Sequence, residues 1–366
     1  MKFEIQRESI LKPLHMVSGI VEKKQTLPIL SNILIDLKEG QLSITATDLE
    51  MEVIATTNVD SNVDGSTTVP VRKFFDTCKT LEDEAELKFA IENDKAVLKS
   101  KKTRFSLATL PANDFPVIDT KSPLFEFQIP QNDLKRIIDK TAFAMAFQDV
   151  RYYLNGLMLE IAPTTVKAVA TDGHRLAISS YETVTNVEES STVIVPRKAV
   201  LEIARLLEDT DDVVNVVIGE NFIRTVLPDV TFTSKLIDGQ YPNYQSVIPT
   251  NCDKQIHVDK NLIRQCLIRT SILSNEKYRG IKLEISSGYL KASANNPEQE
   301  EAEDEIEIDY SGDKVEIGFN VNYLVDAITA IDSEIVEMNV TDSNGSTLIK
   351  SNDSDDCLYV VMPMRL

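Results

Sequence analysis

Apolar and polar positions along this 366-residue chain follow one pattern three times. The stretches FEIQRESILKPL, FQIPQNDLKRII and IHVDKNLIRQCL each read as a short strand running into a helix. Ile5, Ile129 and Val258 are equivalent. Ile10, Leu134 and Ile263 follow five residues later, and Leu14, Ile138 and Leu267 four residues after that. The last spacing places both apolar side chains on one helical face. Asp133, or an Asn or Ser near the same place, is expected to cap the helix start.

A second strand-then-helix unit follows in each copy: TVPVRKFFDTCKTL, IVPRKAVLEIARLL and GFNVNYLVDAITAI. Proline at the entry suits the first turn of a helix. Alternating strands such as KFAIENDKAVLKS and VNVVIGENFIRTVL carry Asn-Asp and Gly-Glu-Asn turn signals between their halves. Phe105, Phe232 and Tyr359, each in a late strand of its third, are 127 residues apart. An equal period over a whole chain means one unit repeated and packed side by side. The expected class is α+β: three repeated domains of mostly antiparallel sheet, each with two helices and roughly eight strands. Their expected bounds are 1–119, 125–247 and 248–366, with linkers around 119–126 and 247–255.

Composition adds limits. The 42% hydrophobic content is ordinary, and no stretch is long and apolar enough to span a bilayer. The start, MKFEIQRES, lacks an apolar signal core, and Cys78, Cys252, Cys266 and Cys357 are scattered without a CxxC pair. Reduced thiols in a cytoplasmic protein are expected, with no metal or cofactor. The net charge of −20 taken as a sum predicts repulsion from nucleic acid. Its distribution says otherwise. The six predicted helical segments carry fourteen basic and seven acidic residues, so they hold +7 and the remainder −27. Helices sharing one face would make a positive, phosphate-facing surface inside an acidic exterior. Arg72, Lys73, Arg197 and Lys198 are the pairs to test. A second asymmetry sets Lys99, Lys101, Lys102 and Arg104 on a late strand of the first copy against Glu298, Glu300, Glu301, Glu303 and Asp304 in the third. That suits head-to-tail association, which gives a ring if the rotation closes.

The strings LPIL at 27–30, TDLEMEV at 47–53, VRKFFD at 71–76, QDVRYYLNG at 148–156, TDGHRLA at 171–177, SNEKYRG at 274–280, NNPEQEEAE at 295–303 and the C-terminal YVVMPMRL identify a family. Over its whole length the chain resembles the bacterial β sliding clamps, the processivity factors of replicative DNA polymerase. The resemblance implies two crescent-shaped subunits of three repeats closing head to tail around duplex DNA, with twelve helices lining the hole. It implies DNA-facing residues at Lys24, Arg72, Gln148, Tyr152 and Tyr153, the tyrosines suited to stacking on single-stranded bases. It implies a pocket for partner peptides between the second and third copies, formed by Leu154, Thr171, Gly173, His174, Arg175, Leu176, Pro242, Val247, Val360 and Met362, with the tail Pro363, Met364, Arg365 and Leu366. The soft side chains of MPMRL suit several apolar anchors. Phe105 and Leu107 on one side and Ile272 and Leu273 on the other are the implied subunit seam. Partners would be double-stranded DNA, a second copy, a clamp loader, the replicative polymerase and other clamp-motif peptides.

Catalysis has a weaker case. TDGHR at 171–175 places Asp172 near His174, but the equivalent TDLEM has no histidine, and the three histidines, His15, His174 and His257, lie in different copies. No GxSxG, P-loop or HExxH string is present. The acidic run at 298–309 lacks EF-hand spacing and reads as a charged edge. The expected protein is a non-catalytic clamp. The competing reading is a repeat-built peptide-binding scaffold that does not encircle DNA.

Overall fold

The computed structural model describes residues 1–21, 27–118, 120, 122–250 and 252–365. Lys23, Lys24 and Leu366 therefore lie outside the described residues. The first repeat runs β1 (Lys2–Gln6), α1 (Arg7–Ser18), β2 (Asn32–Lys38), β3 (Gln41–Thr47), β4 (Met51–Asn58), β5 (Asp60–Val63), β6 (Gly65–Pro70), α2 (Val71–Lys79), β7 (Glu86–Glu92), β8 (Lys95–Ser100) and β9 (Thr103–Ala108). The second is β10 (Pro123–Pro130), α3 (Gln131–Asp139), β11 (Gly156–Ala162), β12 (Thr165–Thr171), β13 (Arg175–Glu182), β14 (Ser191–Pro196), α4 (Arg197–Leu206), β15 (Val213–Gly219), β16 (Phe222–Val226) and β17 (Val230–Lys235). The third is β18 (Lys254–Asp259), α5 (Lys260–Ser271), β19 (Gly280–Ser286), β20 (Tyr289–Asn295), β21 (Glu301–Glu307), β22 (Val315–Asn320), α6 (Val321–Ala330), β23 (Ile335–Val340), β24 (Thr347–Ser351) and β25 (Cys357–Val361).

The chain gathers into two compact units, one of residues 1–132 and 201–236, the other of 133–200 and 237–366. The first holds a sheet of order β5-β1-β7-β8-β9 and another of order β10-β15-β16-β17-β4-β3-β2-β6. The second holds β14-β11-β12-β13-β25-β24-β23-β18 and β21-β20-β19-β22. All pairings are antiparallel, as hairpin connections require.

The repeat decides this topology. The last strand of the second repeat, β17, pairs with β4 of the first, Phe232 opposite Val53. The last strand of the third, β25, pairs with β13 of the second, Tyr359 opposite Ala177. Two strands of this kind are left over. β9, the counterpart of β17 and β25, and β21, the counterpart of β4 and β13, each stand at a sheet edge.

The apolar positions of the repeat behave as their periodicity requires. Ile5, Ile129 and Val258 are buried, as are Ile10, Leu134 and Ile263 and then Leu14, Ile138 and Leu267. The Asn93–Asp94 pair joining β7 to β8 has φ of 49° and 58°, the left-handed conformation that a two-residue hairpin turn needs.

Several local expectations need correction. Asp133 does not cap α3. It sits in the first turn, 3.7 Å from Arg136. The true caps are Asp259, whose carboxylate accepts the Leu262 N–H, and Asn320, whose side chain accepts that of Asn322. Pro70 and Pro196 close their strands one residue before the helix instead of entering its first turn. The expected linker at 119–126 overlaps β10, which begins at Pro123. Of the charged residues placed on one late strand, only Arg104 lies in β9. Lys99 is in β8, and Lys101 and Lys102 form the turn between them. Glu22, Lys23 and Lys24 lie outside the described residues, and the helix bounds drop Lys140 and add Arg7 and Lys260, which leaves thirteen basic and six acidic residues in the described helices. The net of +7 is unchanged.

Candidate functional site

The site is built at the end of a β-ladder. β11 pairs with β14 from Gly156 onward, but with β12 only from Met158 opposite Val169. At the end where this pairing stops lies a cavity of about 200 Å³, lined by Thr171 of β12 and by Leu154 just before β11 among others. Its floor is the core itself, because Leu176, Tyr244 and Val360 belong to one buried cluster with Met158 and Val169. Four segments line it: Arg151, Tyr153 and Leu154; Thr171, Gly173, Arg175 and Leu176; Pro242, Asn243, Tyr244 and Val247; and Val360 with Met362.

The turn from β12 to β13 is held by its own side chains. The Asp172 carboxylate accepts the N–H groups of His174 (2.9 Å) and Arg175 (3.1 Å). Thr171 Oγ1 donates to the Arg175 carbonyl and accepts the Gly173 N–H. Gly173 has φ of +88°, a conformation that glycine adopts without strain, and a Cβ there would stand 2.8 Å from the Arg151 guanidinium and push it aside. The first copy repeats the turn. Thr47 donates to the Met51 carbonyl and accepts the Leu49 N–H, while Asp48 accepts the N–H groups of Glu50 and Met51. A turn conserved between repeats without histidine is an architectural device, so Asp172 is occupied as its cap.

The cationic groups at the mouth are held internally. Arg175 binds Asp172 at 3.1 Å, Asp326 at 2.5 Å and the Phe143 carbonyl at 2.6 Å, and its guanidinium lies over the Phe143 and Tyr323 rings. What it offers the cavity is its aliphatic stem. Arg151 is gripped by Asp149 and donates to the Asp172 carbonyl at 3.0 Å. Hydrogen bonds from Arg151 hold the Asp149 carboxyl down at about 2. Burial, then the Glu160 carboxylate that accepts its hydroxyl at 2.8 Å, pushes the Tyr244 phenol up to about 12. Both tyrosines of this wall stay protonated donors or neutral acceptors at physiological pH, since burial also raises Tyr241.

Nine of the pocket residues expected from the sequence line the cavity: Leu154, Thr171, Gly173, Arg175, Leu176, Pro242, Val247, Val360 and Met362. Four do not. His174 is exposed and its ring stacks on Tyr323, with centroids 6.4 Å apart. The other three belong to the tail: Pro363, Met364 and Arg365 are absent from the lining, and the Met364 N–H donates to the Gly318 carbonyl of β22 at 2.8 Å. Tyr153, expected to face DNA, lines the cavity, while its neighbour Tyr152 is 57% exposed. Arg151, Asn243 and Tyr244 escaped the sequence reading. Arg151 stood inside a quoted string, whereas Asn243 and Tyr244 lie in an aperiodic segment with no pattern to mark them.

The remaining candidates sit apart from the cavity. Arg72 and Lys73 are exposed in the first turn of α2, with no carboxylate within 4.0 Å among the described residues. In the first turn of α4, Arg197 donates to the Met145 carbonyl at 3.1 Å and lies over the Phe147 ring, and Lys198 is exposed. Neither turn contains an acidic residue. Cations in a helix first turn oppose the helix dipole, which the bond to Met145 and the Phe147 ring offset for Arg197. Gln148 is exposed with φ of +56°. Of the seam candidates, Phe105 is half-buried and Leu107 buried on β9. Ile272 is 72% exposed and Leu273 half-buried just after α5. Glu301 and Glu303 are exposed on β21, Glu303 paired with Lys291, and Glu298 and Glu300 precede that strand. Among the described residues, no helix is long and apolar enough to cross a membrane and no group of side chains is arranged to hold a metal ion.

Comparison with known proteins matches residues 1–119, 128–243 and 245–365 to the N-terminal, central and C-terminal domains of the DNA polymerase III beta subunit. The Beta sliding clamps of Pseudomonas aeruginosa and Escherichia coli K12 are 49% and 48% identical, each covering 100% of both chains. A crystal structure of the Pseudomonas aeruginosa DNA polymerase III subunit beta superposes with a TM-score of 0.98 at 49% identity, and the Caulobacter crescentus pol III beta with 0.95 at 35%, both covering 100% of each chain. With every domain matched in order and near-half identity from end to end, the chain belongs to the DNA polymerase III beta subunit family, the beta sliding clamps.

Proposed function

We propose that two copies of this chain close head to tail into a ring that encircles duplex DNA and tethers the replicative polymerase to it. The observation that carries the proposal is the pair of unmatched strands. Each junction between repeats joins a last strand to the preceding repeat's β4-type strand, and one chain leaves β9 and β21 without such partners. An open edge invites another strand, and here a second copy supplies the missing one. Leu107, Phe105, Ile272 and Leu273 would form the apolar centre of each seam, with Glu298, Glu300, Glu301 and Glu303 at its rim. The three domains at 1–119, 125–247 and 248–366 then become six around the ring, a division that the family matches support.

Arg72, Lys73, Arg197 and Lys198, with Lys24, Gln148 and Tyr152, are the DNA-facing groups in this reading. Cations at helix first turns, beside the backbone N–H groups, suit phosphate binding. Phosphate contacts carry no sequence information, so such a ring slides. The protein itself is non-catalytic and cytoplasmic, and a closed ring needs a loader to open it. The cavity beside β12 takes an extended peptide of the polymerase or another partner through a few apolar side chains.

Retention on DNA tests the proposal. A loaded ring should remain on closed circular duplex through gel filtration in high salt and leave the same DNA once it is linearised. Equal retention on both forms would refute encirclement.

A further inference from the structure

Two of the cavity's four lining segments, at Arg151–Leu154 and at Pro242–Val247, belong to no sheet. The segment from Gly239 to Ile248 contributes Pro242, Asn243, Tyr244 and Val247 to the lining. Two hydroxyl bonds fasten it. Tyr241 Oη accepts the Thr171 N–H at 3.0 Å, at the end of β12, beyond the last residue that pairs with β11. It stands where the ladder would have continued. Tyr244 Oη donates to Glu160 Oε2 at 2.8 Å on β11. One tyrosine thus holds the wall to each of the two strands that stop pairing beside the cavity. Neither Tyr241 nor Glu160 lines the cavity itself.

We propose that Tyr241 and Glu160 are positioning residues that fix the free wall at the width a peptide side chain needs, so that they govern peptide affinity without contacting the peptide. The inference rests on the peptide-binding reading of this cavity. Its physical basis is preorganisation. A wall that must be ordered on binding costs affinity, and hydroxyl bonds formed beforehand remove that cost. Tyr241 has a second effect: with its oxygen removed, the Thr171 N–H at the cavity edge loses its acceptor.

The probe is a labelled hexapeptide of serines carrying two leucines and one phenylalanine, titrated by fluorescence anisotropy. Unaltered protein should bind it. Tyr241→Phe and Glu160→Ala should each raise Kd by about 2- to 12-fold, the range expected for one neutral or partly charged hydrogen bond. Glu160→Gln should restore near-normal binding, because the amide oxygen still accepts the Tyr244 hydroxyl. Tyr244→Phe added to Glu160→Ala should bind no worse than the worse single variant, since both remove one bond. A merely structural role would lower the unfolding midpoint and leave the Kd of the folded protein unchanged. That result, with normal binding by both Tyr241→Phe and Glu160→Ala, would overturn the proposal and leave the pocket standing. Should Tyr241→Phe fail to fold, the Glu160→Ala and Glu160→Gln comparison decides alone. No binding by the unaltered protein would overturn the pocket reading and this proposal with it.

Discussion

Replacing Ile272 and Leu273 together with alanine should turn the dimer into monomer at working concentrations. Removing three carbons from a fully buried isoleucine costs roughly 2.4 kcal/mol at about 0.8 kcal/mol per methylene. Ile272 is 72% exposed in the single chain, so about 1.7 kcal/mol of that is gained only at a seam. Leu273 is already half-buried and adds about 0.5 kcal/mol. A closed ring of two copies has two seams, so the double variant loses about 4.5 kcal/mol per dimer, or about a thousandfold in Kd. The cost falls on association, because truncating the exposed Ile272 leaves the single chain's core intact. Sedimentation velocity on a dilution series from micromolar to nanomolar reads the shift directly, with the unfolding midpoint as control. A dimer fraction unchanged at every concentration would refute the reasoning and move the seam elsewhere.

Three further outcomes are expected. Arg72→Glu with Lys73→Glu should lower the slope of log affinity for duplex DNA against log salt by about 2, as the loss of two phosphate contacts demands, and an unchanged slope would remove α2 from the DNA surface. Val247→Asp, at a rim position 51% exposed, should leave the unfolding midpoint nearly unchanged while weakening the hexapeptide at least about tenfold, the effect of setting a charge against apolar side chains. Glu52 is buried, with its carboxylate accepting the Ile118 N–H at 3.3 Å, and burial raises its pKa above the ordinary carboxylate value. The fold therefore binds this proton more tightly than the unfolded chain does. The group's favourable contribution is complete below the unfolded value and is lost as pH rises through the raised one. Glu52→Gln should accordingly be more stable than the parent near neutral pH, with the gap closing toward pH 4 in urea titrations, and a gap independent of pH would contradict the assignment.

Most of the candidate pocket was legible because its residues lie in strings that the family resemblance covers. TDGHRLA contributed Thr171, Gly173, Arg175 and Leu176, and YVVMPMRL contributed Val360 and Met362. The same strings also contain His174 and the tail residues Pro363, Met364 and Arg365, which do not line the cavity. Nothing in a string records that His174 and Arg175 both meet Tyr323 while only Arg175 lines the cavity, or that the Met364 N–H finds Gly318. Tyr153 was expected to face DNA with Tyr152; the two rings touch, but only Tyr153 reaches the cavity.

Local and periodic information determined the rest. The 3.6-residue apolar spacing of Ile10 and Leu14 and its two echoes, the Asn93–Asp94 turn, and the +7 charge of the helices are properties of short stretches, so the chain's order alone displays them. Tertiary structure alone decided which strands meet across repeats, that β9 and β21 remain open, and that β11 and β12 stop pairing beside the cavity. Those outcomes depend on pairing between residues far apart in sequence, such as Tyr359 with Ala177 and Tyr241 with Thr171. Hydrogen bonds between distant backbone groups form only where packing brings them together, and no local pattern of side chains encodes the meeting.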